Sequence, residues 1–62
     1  MTGDEVRRLR RRLGLTQVQL AELVGVSGNS VARWERDELG VRESAARLMR
    51  LLVQQRPRRR RR

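Results

Sequence analysis

Gly28, Asn29, Ser30, Ala32 and Arg33 are the residues of this sequence best placed to meet another molecule. They are small or polar. With Val31 and Trp34 as the inward positions of a helix, these five are left facing outward. Residues 15–35, LTQVQLAELVGVSGNSVARWE, read as two short helices joined by a tight turn, and the second helix carries this face. That layout fits insertion of the second helix into the DNA major groove.

Charge points the same way. The chain carries 16 basic residues, all arginine, against seven acids, for a net charge of +9. Six of the arginines are Arg56 and residues 58–62; residues 1–55 hold ten arginines and seven acids, a net charge of about +3. The body is thus mildly basic and the end strongly so, which favours an anionic partner. Pro57 ends the last helix, and the arginine run is expected to be disordered until it meets an anion.

Enzyme chemistry is not expected. There is no histidine, cysteine or tyrosine and no glycine-rich phosphate loop, and the carboxylates are scattered with no evident acid–base pair. For the same reason no metal site and no cofactor are expected. No apolar run approaches the roughly 20 residues of a membrane span, and the N-terminus lacks a signal-peptide core. A soluble cytoplasmic protein without membrane contact is the expectation.

The elements that must position the outward face are legible from caps and apolar spacing. Thr2 and Glu5 match a capping box, Val6, Leu9 and Leu13 follow along one helical face, and Gly14 stops the helix. Arg7, Arg8, Arg11 and Arg12 take the other faces, as a solvated surface from which Arg7 or Arg11 could reach a DNA backbone. Thr16 and Gln19 repeat the capping box. Leu20, Ala21 and Val24 then form the stripe of a second helix, and Gly25 breaks it. Val26 points inward, Ser27 caps the third helix, and Trp34 is read as core in phase with Val31. Leu39 and Val41 are expected to anchor the following loop. A fourth helix runs from residue 42 or 44 to residue 55, with a stripe of Ala45, Leu48 and Leu52. Met49, Leu51 and Val53 lie outside that stripe and are read as a homodimer seam.

Residues 5–53 resemble the lambda-repressor-like, xenobiotic-response-element type of helix-turn-helix domain. The resemblance rests on Arg10, Leu13-Gly14-Leu15-Thr16-Gln17, Leu20-Ala21, Gly25-Val26-Ser27, Ser30-Val31 and Trp34-Glu35. It implies an all-α, compact domain of four helices, or five, over residues 1–55, with residues 56–62 as an arginine-rich tail. It further implies double-stranded DNA as partner, with Gly28, Asn29, Ala32 and Arg33 at base-reading positions. Arg33 would pair with guanine, Asn29 with adenine, and Ala32 would meet a thymine methyl. Gln17, Ser27, Ser30 and Arg36 would hold phosphates, helped at Gln17 by the start of a helix. Arg10 and Glu35 match positions joined by a partly buried ion pair.

Two departures stand out. Gly28 lacks the long side chain that many relatives carry there, so either the backbone approaches DNA closely or readout shifts to Asn29 and Arg33. In the loop, Asp37 and Val41 stand where many relatives have glycine and proline. The function implied is a transcriptional regulator of a bacterial or phage-infected cell, a repressor binding an inverted repeat as a homodimer. The alternatives are an antitoxin-type module that binds a toxin protein and autoregulates, or an RNA binder acting through the arginine tail.

Overall fold

The computed structural model describes residues 1–55, and these form four α-helices and no strand. They are α1 (Gly3–Leu13), α2 (Gln17–Val24), α3 (Gly28–Glu35) and α4 (Glu43–Gln55). A fifth helix is absent among the described residues. The arginine run, expected to be disordered, lies outside them.

Local chemistry sets where each helix begins and ends. The Thr2 hydroxyl accepts the Glu5 N–H at 3.2 Å, and the Glu5 carboxylate accepts the Thr2 N–H at 2.7 Å. Thr16 and Gln19 exchange the same two bonds at 3.1 and 2.9 Å. Ser27 accepts the Ser30 N–H at 3.2 Å. Each bond satisfies a helix-start donor that has no partner within its own helix. Gly14 and Gly25 end α1 and α2 in the left-handed region, at φ 72° and 86°, where a Cβ would be strained.

The core is shared by all four helices. Val6 and Leu13 of α1, Leu20 and Ala21 of α2, Val31 and Trp34 of α3, and Ala45 and Met49 of α4 are buried together. Leu9, Leu15, Val24, Val26, Val41, Leu52 and Val53 are partly buried against them. Val41 thus anchors the last loop, but Leu39 remains exposed.

The structure corrects the reading of α4. Its buried positions are Ala45, Ala46 and Met49, while Leu48 and Leu52 are half-buried at the margin. Met49 is 0% exposed, so it belongs to the core and has no surface to offer a second copy. Leu51 is 42% exposed, whereas Val53 packs partly against the core. Two residues along a helix is a turn of about 200°, so Leu51 and Val53 lie on opposite sides of α4. Met49, Leu51 and Val53 do not share a face.

One unforeseen contact fixes α1 against α3. The final carbonyls of α3 rest on Gly3, where a Cβ would collide with the Glu35 carbonyl oxygen and stand 2.7 Å from that of Trp34. The negative end of α3 thereby meets the positive start of α1, a favourable dipole arrangement. Asp37 adds to it. It adopts φ 60° just after α3, and its Oδ1 accepts the Gly3 N–H at 2.8 Å. The Glu38 N–H donates to the Arg33 carbonyl at 2.9 Å and the Asp37 N–H to the Trp34 carbonyl at 3.0 Å, a helix ending that usually places glycine where Asp37 stands. Gly3→Ala is expected to lower stability by about 1–3 kcal/mol through overpacking, although alanine is the better helix former. Urea unfolding tests this. Equal or higher stability of the variant would show that the two helix ends separate freely.

Candidate nucleic-acid interface

The turn between α2 and α3 runs from Gly25 to Ser27, and these two helices pack more extensively on each other than any other pair. One side of α3 is anchored: Val31, Trp34 and Glu35 are all buried. The opposite side is open. Asn29 and Arg33 are exposed, with Arg33's side chain 45% accessible. Four residues apart on a helix, they stand one above the other on the same face. Ser30 and Ala32 flank them and are half-buried.

Gly28 turns toward α2 rather than outward. A Cβ at this position would stand 3.2 Å from Cγ2 of Val18. The glycine therefore lets the start of α3 sit closely on α2, a reason separate from DNA contact. Val18 itself is 58% exposed. It is an apolar side chain beside the start of α3 that sequence reasoning did not single out. Its only signal was that it falls off the Leu20–Ala21–Val24 stripe.

The orientation of α3 is fixed by Glu35, whose side chain is 3% exposed. Arg10 Nε donates to its Oε2 at 2.6 Å and Arg10 Nη2 to its Oε1 at 3.3 Å. Gln17 Nε2 donates to Oε1 at 3.2 Å, and Arg7 Nε lies 3.5 Å from the same oxygen. Arg10 Nη1 also donates to the Leu15 carbonyl at 3.1 Å, tying in the α1–α2 turn. One carboxylate thus joins α1, α2 and the end of α3. Burial works to raise the Glu35 pKa, but the hydrogen bonds from Arg10 and Gln17, the Arg10 charge and the Arg7 contact outweigh it and hold the carboxyl below its usual 4.5.

The residues expected at phosphates occupy three places. Gln17 opens α2 with its amide directed at Glu35. Ser27 caps α3, and its hydroxyl lies 3.2 Å from that of Ser30. Arg36 follows α3 and is exposed, but it is already engaged. Its Nε and Nη2 donate to Glu38 at 3.0 and 3.1 Å, and the bond from Arg36 keeps the Glu38 carboxyl below its usual range. Arg33 Nε lies 4.0 Å from Glu38 as well. Glu38 therefore stands beside two arginines that an incoming phosphate or base would have to recruit. Glu38, Asp37 and Gly3 were not foreseen as contributors, since their partners arise from the path of the loop.

A family model described as helix-turn-helix matches residues 6–52. The chain belongs to the helix-turn-helix family. The match begins at Val6, the first buried side chain of α1, and reaches Leu52 in α4, so it takes in the whole core. It is of the lambda-repressor-like type, a DNA-binding fold of transcription regulators. No curated protein and no solved structure matches the chain. Among the described residues of this helix-turn-helix protein, no helix is long and apolar enough to cross a membrane.

Proposed function

We propose that this helix-turn-helix protein is a sequence-specific reader of double-stranded DNA. It acts as a repressor that binds an inverted repeat as a homodimer. The observation that carries the reading is the outer face of α3: Asn29 and Arg33 project side by side from a helix whose other side is locked into the core. The start of α3 enters the major groove. Arg33 bonds the O6 and N7 of a guanine, Asn29 the N6 and N7 of an adenine, and Ala32 touches a thymine methyl. Gly28 seats the start of α3 on Val18 of α2, so the base contacts fall to Asn29, Ala32 and Arg33.

Gln17, Ser27, Ser30 and Arg36 hold phosphates on either side and set the register, while the base contacts set the sequence. Arg36 exchanges Glu38 for phosphate when it does so. Residues 1–55 are the reading domain. The arginines of residues 56–62 add affinity without sequence preference. Two copies join through the Leu51 side of α4, where Leu48, one turn earlier, lines an apolar recess with Leu39. Their reading helices then sit in successive major grooves roughly 34 Å apart. Occupying a promoter in this way blocks transcription.

Selection of bound duplexes from a random pool, followed by salt titration, tests the proposal. A palindromic motif is expected. Arg33→Ala should lose about 1–3 kcal/mol of discrimination at one base position of each half-site. Removal of residues 58–62 should instead weaken all duplexes alike and lower the salt slope. Loss of specificity to the same degree in both variants, or a pool in which nothing is enriched, would contradict the proposed division between reading helix and tail.

A further inference from the structure

We propose that the groove between α1 and α4 docks an acidic, amphipathic helical segment of another protein. The groove has a volume of about 380 Å³. Leu9 and Val53 line its inner part and are packed against the core, while Arg8, Arg12 and Arg50 line it from exposed positions. Arg8 and Arg12 stand one turn apart on α1. Among the described residues neither forms an ion pair. Glu5 is the acid that lines the groove, and its carboxylate is already bound to the Thr2 N–H at 2.7 Å. The site thus combines an apolar base with two uncompensated cations and a third beside them.

Its place in the fold leaves it open during DNA reading. α1 turns Gly3, Arg7 and Arg10 toward α3 and Arg8, Leu9 and Arg12 toward α4. The groove therefore faces away from the reading helix. The inference does not rest on the DNA reading.

Charge and polarity select the occupant. A second copy paired symmetrically would set the same three arginines against their own counterparts, and like charges so juxtaposed are costly. Residues 56–62 are nearly all arginine and are repelled for the same reason. A nucleic-acid backbone would neutralise the arginines but leave Leu9 and Val53 without an apolar partner. An amphipathic helix with apolar anchors flanked by carboxylates satisfies both parts, in the manner of a helix laid in a groove.

The test uses the full chain and a fluorescent helical peptide with leucines on one face and glutamates flanking them. Affinity is measured with the protein free and bound to its selected duplex. Arg8→Glu/Arg12→Glu should weaken peptide binding by at least about 10-fold, because like charges then face each other. Arg11→Glu/Arg42→Glu makes the same change in net charge at exposed positions outside the groove. It should weaken binding by no more than about 3-fold, the scale of surface charge effects. A peptide with alanine in place of leucine should bind as poorly as the wild-type peptide binds the groove variant.

Three results would overturn the proposal: no binding of the leucine–glutamate peptide, equal weakening by the two double variants, or displacement of the peptide by RNA or by the selected duplex. All four substituted arginines are exposed, so circular dichroism should report unchanged folding. Duplex binding by the free protein reports separately on the DNA reading.

Discussion

Arg10→Met is expected to destabilise the fold by about 3 kcal/mol, on the scale of breaking a buried ion pair. The reason is local. Glu35 is buried, and Arg10 is its nearest partner, with two hydrogen bonds to the carboxylate. Removing Arg10 leaves a negative charge out of water with only Gln17 at 3.2 Å and Arg7 at 3.5 Å to hold it. The Leu15 carbonyl loses its donor in the same step. Those two residual partners keep the cost from being larger. A domain of this size has a total stability of order 3–9 kcal/mol, so the variant should keep no more than about 6 kcal/mol of it and melt well below the wild type. Its duplex affinity should fall with it, because the same carboxylate orients Gln17 and the end of α3.

The pH dependence follows from the same group. The folded Glu35 carboxyl titrates below the ordinary 4.5. Its contribution is therefore fully present above about pH 4.5 and is lost as pH falls through the lower, folded value. Urea melts at pH 7 and at steps below 4.5 should show wild-type stability falling on the acid side. Glu35→Gln should be less stable at pH 7 and flatter with pH. If Arg10→Met melts like the wild type, Glu35 is adequately held without it and the ion pair is dispensable.

Met49→Ala is expected to cost about 2–5 kcal/mol, the range for removing a large apolar side chain from a close-packed core. Met49 is among the largest fully buried side chains of the protein. The loss should appear equally at low and high protein concentration. Leu51→Ala should change the stability of the monomer by no more than about 0.5 kcal/mol, since Leu51 is exposed. Its effect should fall on self-association, seen as a rise in the dimer dissociation constant by sedimentation. Reversal of the two outcomes, with Met49 controlling association and Leu51 the monomer fold, would mean that α4 is rotated about its axis relative to the arrangement described.

What could be read in the sequence has a common physical origin. The boundaries of α1, α2 and α3 come from Thr2, Thr16 and Ser27 bonding three residues ahead, and from glycines at 14 and 25 in left-handed geometry. These interactions are complete within one turn of chain, so neighbouring letters report them. The outward face of α3 was legible for a similar reason: Val31 and Trp34 fix the helix phase, and Asn29 and Arg33 must then face away.

The rest was decided by packing between segments distant in sequence. α4 carries apolar residues at 48, 49, 51, 52 and 53, distributed around much of its circumference, so periodicity alone permits more than one rotation. The bundle selects one: Ala45 and Ala46 are small enough to lie against the other helices, and Met49 fills the space between. Gly3 looks unremarkable in the sequence and Asp37 stands out only as a replacement for glycine, yet the two meet across 34 positions because the end of α3 lands on the start of α1.

The sequence by itself determined four features: an all-helical chain, where its first three helices start and stop, which side of α3 faces outward, and an excess of positive charge. Tertiary structure alone decided that Arg7 and Gln17 join Arg10 on Glu35, that Met49 is core, and that Leu9 and Val53 line one groove with three arginines. The first group depends on contacts spanning three or four residues, or on composition. The second depends on how rigid helices settle against one another, which is fixed by side-chain volume and charge summed over the whole core.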